Sequence, residues 1–353
     1  MIAPCPYDRN HGGVQKSAQV AWEGIASSPL IEHAQLLCYG AGCDARSGGC
    51  GGSVRLCSRS KLGAIRSAFA LNRPVDLILF WHAGMLKLLP FLRPGRARVV
   101  LFVHGIESWK PLGTVFGDSL ARVETLLCGT RFSLAKCVQA NPVWARTPAR
   151  IIPLGVDVED VSPVPPDGPP AALIISRMMR SEDYKGHRQL IEAWPRVVER
   201  IPRAELWIAG TGDLEPELAS LAFSRSGKSI RFYGSVSEEV KLDLLRRCRC
   251  FVMPSAYEGF GLVYLEAMRL GRPSLVHTIG AGREVIDPPE LGLAVNPDNS
   301  DDMVETLMRL LQSGPEWDSW STRARERYAA CFTARKFQDR VIDACLNGVG
   351  VRR

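Results

Sequence analysis

Two glutamates flank a glycine-rich turn in the second half of the chain. The segment reads Glu258-Gly-Phe-Gly-Leu-Val-Tyr-Leu-Glu266 and follows the strand-like run Cys250–Met253. Glycines at a helix entry let backbone N–H groups point at a sugar and a phosphate, here those of Gly259, Phe260, Gly261 and Leu262. From Leu262 the sequence predicts a helix, which places Glu266 about one turn along and facing back toward the loop. One carboxylate can then hold sugar hydroxyls, and the other can hold a ribose.

Two cations bracket a loop that follows another strand-like run, Ala171–Ile175. Arg177 comes just after this run, and Lys185 precedes Gly186 at the start of a predicted helix. Such a pair suits a diphosphate, whose negative charge builds as a sugar leaves. The alternative is a solvated Arg and Lys on a loop, which we disfavour because Gly186 also opens a helix N-terminus.

Three weaker signals also follow predicted strands. Gly12-Gly13 lies after a very short first strand and before a helix, where a Gly-Gly turn is more often only a turn. His104 follows Arg98–Val103, and its type fits a structural role and a substrate contact about equally. Gly210-Thr-Gly-Asp213 lacks the third glycine of a dinucleotide fingerprint, so it is weak evidence for NAD.

The eleven cysteines are expected to be reduced thiols. Cys43, Cys50 and Cys57 are evenly spaced, and Cys248 and Cys250 flank an arginine, but neither set has the paired spacing of a zinc site. We therefore expect no metal.

The bulk composition is that of a globular enzyme. The 353 residues are 46% hydrophobic and 23% charged, and the length favours two domains. No apolar run reaches membrane-spanning length, and no basic region followed by an apolar core opens the sequence. We expect a cytoplasmic location.

Strand-like runs alternate with helical segments, which predicts an α/β fold with doubly wound parallel sheets. The helical segments 186–200, 214–225 and 237–247 separate strands in the second half, and a last helix covers 334–346. A proline-rich segment, 161–170, predicts a linker between two halves. The predicted strands are Val75–Phe80, Arg98–Val103, Ala171–Ile175, Glu205–Ala209, Ser229–Tyr233, Cys250–Met253 and Ser274–His277.

The net charge of +7 is unevenly placed: residues 1–150 carry 18 basic and 8 acidic side chains, and the remainder 26 and 29. Nine of the basic residues fall between Arg55 and Arg98, with only Asp76 against them. This asymmetry fits an anionic partner, either nucleic acid or lipid, or a merely solvated basic face. An aromatic-basic pattern for nucleic acid is missing, so no nucleic-acid partner is expected.

The Glu-x7-Glu segment, the Arg177/Lys185 pair and the two β-α-β halves together resemble the GT-B glycosyltransferases of family 4. The resemblance covers nearly the whole chain and is strongest over 171–297. It implies two Rossmann-like domains facing across a cleft. Residues 1–160 would bind the acceptor, 161–330 would bind a nucleotide-sugar, and 331–353 would form a helix that crosses back to the first domain.

The resemblance also implies roles for the residues around the donor. Arg177 and Lys185 would neutralise its diphosphate, and Glu258 with the amides that follow it would hold the transferred sugar. Glu266 would accept hydrogen bonds from the ribose hydroxyls.

The remaining contacts implied by the resemblance are less specific. The nucleobase would lie near Gly234 to Val236, held by backbone groups. From the first domain, Gly12 and Gly13 would cap the diphosphate, and His104 would contact the sugar near its C6 hydroxyl. Two departures affect these roles: the first strand is very short, and Ser176 stands where the family commonly has glycine.

The implied reaction is retaining and metal-independent, with no cofactor besides the GDP- or UDP-linked donor substrate. A mannosyl or glucosyl unit would pass to a hydroxyl on a lipid-linked glycan of bacterial surface polysaccharide synthesis. The basic N-terminal half could hold such an enzyme against the inner face of the cytoplasmic membrane. Alternatives are a nucleotide-sugar epimerase, a phosphorylase, a catalytically silent carbohydrate-binding protein and, last, an NAD oxidoreductase.

Overall fold

The chain folds into two compact units in a computed structural model that describes residues 1–5, 12–40, 54–58, 60–70, 75–92, 94–156 and 165–347. Unit 1 comprises Met1–Asp157 together with Cys331–Arg353, and unit 2 is Val158–Ala330. The first part of the predicted linker, residues 161–164, lies outside the described residues.

Unit 1 is built on a seven-stranded sheet with the order β3-β2-β1-β4-β5-β6-β7, in which every pair is parallel. The first strand has only three residues, yet it lies inside the sheet, with Ile2 and Ala3 buried. Its apolar side chains are therefore covered on both faces, as parallel strands require. The strands are β1 Ile2–Pro4, β2 Gln35–Tyr39, β3 Val54–Ser58, β4 Leu77–Phe80, β5 Arg98–Val103, β6 Thr125–Cys128 and β7 Ala149–Ile151.

The described residues of unit 1 form four α-helices: α1 Gly13–Ser27, α2 Lys61–Ala70, α3 Arg131–Ala140 and, from the last part of the sequence, α11 Ala334–Asn347. Helix α11 packs on α1, where the Gln338 amide donates to the Val20 carbonyl at 3.0 Å. At its far end, the guanidinium of Arg98 donates to the carbonyl of Cys345. The last helix thus completes the first unit.

Unit 2 has a six-stranded parallel sheet with the order β10-β9-β8-β11-β12-β13. The neighbours β8 and β11 are far apart in sequence, so the strand order reverses between them. The strands are β8 Ala171–Ile175, β9 Glu205–Ala209, β10 Ile230–Gly234, β11 Cys250–Val252, β12 Ser274–His277 and β13 Gly292–Val295.

The helices of unit 2 cover this sheet through apolar stripes, with polar residues at their starts. Ser237 caps one helix by accepting the amide of Val240, and Asn299 caps another by accepting the amide of Asp302. The helices are α4 His187–Arg200, α5 Glu215–Ser226, α6 Glu238–Arg247, α7 Leu262–Arg269, α8 Ala281–Ile286, α9 Ser300–Leu311 and α10 Pro315–Cys331.

The predicted α/β fold with two doubly wound parallel sheets is confirmed. The predicted strands Arg98–Val103, Ala171–Ile175, Glu205–Ala209 and Ser274–His277 match the observed bounds, and the others differ at their ends. The prediction missed β2, β3, β6, β7 and β13. These strands are short or close to a sheet edge, so tertiary pairing specifies them more than their own composition does.

Candidate active site

The candidate site of unit 2 lies where its strand order reverses, beyond the carboxyl ends of β8 and β11. Loops that leave two adjacent strands in opposite directions open a crevice at this place in a doubly wound sheet. The loop after β8 carries Arg177, and the loop after β11 carries Glu258. Residues that are distant in sequence therefore meet at one edge.

The two loops are joined by an ion pair between Lys185 and Glu258. The Lys185 Nζ lies 2.6 Å from Glu258 Oε1, and the two side chains are 12% and 16% exposed. Charge-assisted hydrogen bonds of this length are strong, and partial burial removes the water that would compete. The structure thus brings together one predicted phosphate ligand and the predicted sugar ligand.

Arg177 reaches the same cluster through a carboxylate that sequence reasoning missed. Glu182, in a 3-10 turn at Arg180–Lys185, accepts from the Arg177 guanidinium, and its Oε2 lies 3.8 Å from Lys185 Nζ. Burial, then Glu182 and Glu258, raise the pKa of Tyr184, whose ring lies beside the same carboxylates. Both predicted diphosphate cations therefore already have acidic partners.

Gly186 lets the Lys185 turn lie close to the loop after β11. Its φ is 90°, a left-handed value that side chains strain to adopt, and an added Cβ would lie 2.6 Å from Pro254 Cγ. Glycine is needed at position 186 because it adopts this φ without strain and has no side chain that would clash with Pro254. The helix α4 begins immediately afterwards, at His187.

The turn Gly210-Thr-Gly-Asp213 supports the Arg177 loop from behind. The Met178 amide donates to the Thr211 carbonyl at 3.0 Å, and the Asp213 carboxylate accepts the Arg180 amide at 2.7 Å. A Cβ on Gly210 would meet the Ser176 carbonyl at 2.0 Å. Close packing of two backbones therefore explains the glycines without a dinucleotide.

Ser176, the departure from the family pattern, pairs with the first residue of α4. Its hydroxyl lies 3.0 Å from His187 Nε2. The imidazole is buried, and this burial, followed by the charge of Lys185, lowers the pKa of His187 to about 4. The histidine is therefore neutral near pH 7, and it fixes the serine hydroxyl at the end of β8.

Glu266 lies on α7 as predicted, where it pairs with a lysine that sequence reasoning missed. Lys241 Nζ on α6 lies 2.9 Å from Glu266 Oε1, and both side chains are 11% exposed. Glu238 accepts from the same ammonium group at 2.6 Å. The signal available in the sequence was a lysine at an inward-facing position of an amphipathic helix.

The turn between the two predicted glutamates enters α7 through Gly261, whose φ is 82°. Phe260 packs its ring inward at 5% exposure, so only its backbone can serve a ligand. Leu262 begins the helix, where the first amides lack intrahelical partners. Gly259 lies between Glu258 and Phe260, half-buried.

The residues predicted for a nucleobase lie at the end of β10, two strands away from β8 in the sheet. Gly234 ends this strand with a φ of 63°, and its carbonyl accepts the Gly210 amide at 2.8 Å. Val236 follows in the half-buried loop before α6.

Comparison with known proteins gives this geometry a context. The sequence model of the family described as glycosyl transferases group 1 matches residues 169–313, which include all of the unit 2 residues discussed above. This part of the chain is thus similar to the group 1 glycosyltransferases. The resemblance to this family, expected from the Glu-x7-Glu segment and its two cations, is confirmed.

Two relatives of the chain carry mannosyltransferase names. The GDP-mannose-dependent monoacylated alpha-(1-6)-phosphatidylinositol monomannoside mannosyltransferase of Corynebacterium glutamicum is 28% identical over 266 residues, 68% of each chain. The phosphatidyl-myo-inositol mannosyltransferase of Mycolicibacterium smegmatis is 33% identical over 182 residues. That match covers 50% of this chain and 46% of the relative, so it spans about half the length of the relative.

The solved structures confirm the GT-B fold of the chain. Sucrose-phosphate synthase of Thermosynechococcus elongatus superposes with a TM-score of 0.77 at 18% identity, covering 97% of this chain and 96% of that one. The likeness therefore extends over both units.

Unit 1 carries the other predicted site residues at the carboxyl ends of its central strands. Gly12 precedes α1, which begins at Gly13. His104 follows β5, and its Nε2 lies 2.7 Å from the Trp81 carbonyl. A carbonyl can only accept, so Nε2 carries the proton and Nδ1 is the acceptor. Burial, opposed by Glu107, lowers the pKa of His104 to about 4, which keeps the ring neutral.

A second histidine near this edge was not singled out by sequence reasoning. His82 follows β4, and its Nδ1 accepts the Gly84 amide at 3.0 Å. Glu107 accepts the backbone amide of His104 at 2.7 Å, which braces the turn after β5. The sequence signal was a histidine directly after a buried strand, the same signal that identified His104.

The described residues offer no group of three or more His, Cys, Asp or Glu side chains placed to hold a metal ion. Within the described ranges, no helix is both long and apolar enough to cross a bilayer. The side chains of Cys43, Cys50 and Cys57 lie outside this description. The described cysteines are free thiols: Cys5, Cys38, Cys128, Cys137, Cys248, Cys250, Cys331 and Cys345.

Proposed function

We propose that this glycosyltransferase moves a hexosyl unit, with mannose favoured, from a nucleotide-linked donor to a hydroxyl of a lipid-linked glycan. The observation that carries the donor half is the Lys185–Glu258 pair, with 2.6 Å between charged atoms at the strand-order reversal. It joins a cation suited to a phosphate with a carboxylate suited to sugar hydroxyls, at the edge where doubly wound sheets bind ligands.

In this proposal Arg177 and Lys185 stabilise the charge that develops on the diphosphate as the sugar departs. Fixed cations in a partly buried site are effective because they need no reorganisation at the moment of reaction. Glu258 and the backbone at 259–262 hold the sugar, and Glu266 holds the ribose. Gly234 and Val236 lie beside the nucleobase.

For unit 1 we propose donor contacts at Gly12, Gly13 and His104, the roles that the family resemblance implies. A neutral His104 with its proton on Nε2 accepts a hydroxyl hydrogen at Nδ1. This form suits an uncharged sugar better than a phosphate.

We further propose that the reaction retains the anomeric configuration and needs no metal. The cations at 177 and 185 supply the positive charge that a metal gives elsewhere, and the leaving phosphate takes the proton of the acceptor hydroxyl. An anomeric proton signal of the product that differs in configuration from the donor would overturn retention. A rate that falls with EDTA and recovers with Mg²⁺ would overturn metal independence.

The acceptor is proposed from the two mannosyltransferase relatives, whose names specify phosphatidylinositol substrates. A lipid-linked acceptor also gives a role to the basic first half of the chain. Helix α2 exposes Leu62, Arg66 and Phe69, which are spaced to share one helical face. Apolar and cationic side chains on one face suit a peripheral position on an anionic, cytoplasmic membrane surface.

One screen tests the donor assignment: thermal shift with GDP, UDP and TDP, followed by transfer assays with the matching mannose and glucose donors. A bound nucleotide raises the midpoint by mass action. A midpoint that no nucleotide moves, with no donor hydrolysis at high enzyme concentration, would favour a carbohydrate-binding protein instead. Donor turnover without an acceptor hydroxyl would favour an epimerase, and dependence on free phosphate would favour a phosphorylase.

A further inference from the structure

Glu182 is a carboxylate of the candidate site that no sequence pattern pointed to, and it pairs with both proposed diphosphate cations. It accepts from the Arg177 guanidinium through Oε1, and its Oε2 lies 3.8 Å from Lys185 Nζ. Its side chain is only 15% exposed, whereas that of Arg177 is 73% exposed. The carboxylate is thus far more enclosed than the Arg177 guanidinium and about as enclosed as Lys185, which is 12% exposed.

The position of Glu182 decides the local charge that a diphosphate meets. Arg177 and Lys185 carry two positive charges, and Glu182 and Glu258 carry two negative charges. The cluster is therefore formally neutral, although its cations are the groups that should attract an anion. Neutralising one carboxylate leaves a net positive charge, and partial burial makes that difference larger than it would be in water.

One carboxylate oxygen of Glu182 is held only weakly, which favours its replacement by a diphosphate oxygen. Its Oε2 is buried and has no hydrogen-bond partner among the described residues, because 3.8 Å to Lys185 is an ion-pair distance only. Backbone geometry is irregular at the same place, where Glu182 interrupts the 3-10 turn with a φ of −123°. A diphosphate oxygen that approached Lys185 directly would form the shorter contact.

We propose that the Glu182 carboxylate holds Arg177 and Lys185 in position before the donor binds. Once the donor is bound, the same carboxylate competes with the diphosphate for these two cations. This inference rests on the proposed function, because it requires a diphosphate ligand. Its consequence is a lower affinity for the nucleoside diphosphate product. As the product leaves, Glu182 pairs with both cations again. Neither Arg177 nor Lys185 is therefore left without a negative partner during release.

The test is isothermal titration calorimetry of wild type and Glu182→Gln with GDP and UDP, each compared with guanosine and uridine. We expect the variant to bind the diphosphate roughly fivefold more tightly, the size of effect expected when one partly screened charge is removed. Nucleoside binding should change by less than about twofold, because nucleosides lack the phosphates that compete with Glu182. A structural defect would weaken both ligands together.

A matched control is Glu217→Gln, which removes a carboxylate that pairs with Arg180 and Arg188 but with neither proposed diphosphate cation. Its diphosphate affinity should stay within about twofold of wild type. Glu182→Asp keeps the negative charge. Its diphosphate affinity should therefore lie nearer to that of wild type than the affinity of Glu182→Gln does.

Two results would overturn the inference: unchanged or weaker diphosphate binding in Glu182→Gln, or equal tightening in Glu217→Gln. Wild type that binds neither GDP nor UDP would instead contradict the proposed function. The two failures are therefore distinguishable. If Glu182→Gln does not fold, Glu182→Asp decides: a shorter side chain reaches the cations less well, so its diphosphate affinity should exceed that of wild type.

Discussion

Lys241 and Glu266 form a buried ion pair between α6 and α7, with 2.9 Å between Nζ and Oε1. Burial alone would lower the pKa of Lys241, but the charges of Glu266 and Glu238 outweigh it and raise the pKa. The lysine therefore stays charged, and it holds the proposed ribose ligand in place.

Replacing this lysine should destabilise unit 2. Lys241→Met leaves the Glu266 carboxylate buried beside an apolar side chain, and breaking a buried pair costs about 3 kcal/mol of unfolding free energy. Urea denaturation measures the loss. Arg247→Met is the control, because Arg247 lies on the same helix but pairs with Asp243 at the surface. Equal stability in both variants would contradict the prediction.

Lys185→Met should nearly abolish transfer while the fold survives. Removing one fixed charge that stabilises a transition state lowers kcat by about a hundredfold or more. Steady-state transfer assays and circular dichroism together make the measurement. Arg180→Met, which changes an exposed cation in the same turn, should keep most of the activity. Wild-type transfer rates in Lys185→Met would contradict the proposed role of Lys185 as a ligand of the donor diphosphate.

Gly210→Ala should displace the Arg177 loop, because the new Cβ would lie 2.0 Å from the Ser176 carbonyl. We expect weaker nucleotide binding and a lower melting temperature. Gly227 has a φ of 52° with nothing within 4 Å, so Gly227→Ala carries backbone strain alone. If both variants bind nucleotide equally, the turn at 210–213 does not support the loop.

Stability should fall as the pH is lowered from about 6.5 toward 4. Burial lowers the pKa of His187 from its ordinary 6.5 to about 4, so protons bind the unfolded chain first. The stability that depends on neutral His187 is fully present above about pH 6.5. It decreases between about pH 6.5 and pH 4, and it no longer changes below that range. A shift of this size corresponds to at most about 3 kcal/mol. Urea denaturation of wild type and His187→Gln across this pH range measures the contribution. If the unfolding free energies of the two proteins changed equally with pH, the prediction would be refuted.

The exposed face of α2 should bind anionic vesicles at low salt. Leu62 and Phe69 are 57% and 49% exposed, and Phe69→Asp should weaken sedimentation with phosphatidylglycerol vesicles. Phe223 on α5 of unit 2 is 84% exposed, so Phe223→Asp tests whether any exposed aromatic suffices. Absence of binding by wild type would end the membrane hypothesis.

The sequence predicted that Arg177, Lys185 and Glu258 lie at one edge of the unit 2 sheet, because its signals there are local. Arg177, Lys185 and Glu258 each follow a strand or open a helix, and strand ends converge in a parallel sheet. Their mutual pairing was not predictable in the same way. Glu182 and Lys241 stand in polar segments where charged residues are ordinary, and only the packing of separate elements shows that they are enclosed.

In unit 1 the sequence predicted less, for a related reason. The sequence indicated β1 only as a very short first strand, and its place inside the sheet depends on pairing with β2 and β4. His104 was identified by its position after β5, but its proton assignment depends on the Trp81 carbonyl, which comes from another strand.

The placement of α11 on α1 has a consequence for biosynthesis. During translation the strands of unit 1 emerge first, yet the helix that covers α1 and receives the Arg98 hydrogen bond emerges last. Unit 2 is continuous in sequence, so on the ribosome it can finish folding while unit 1 still exposes the apolar side of its first helix. We expect nascent chains that stop before residue 331 to engage chaperones through unit 1, the domain that is begun first and completed last.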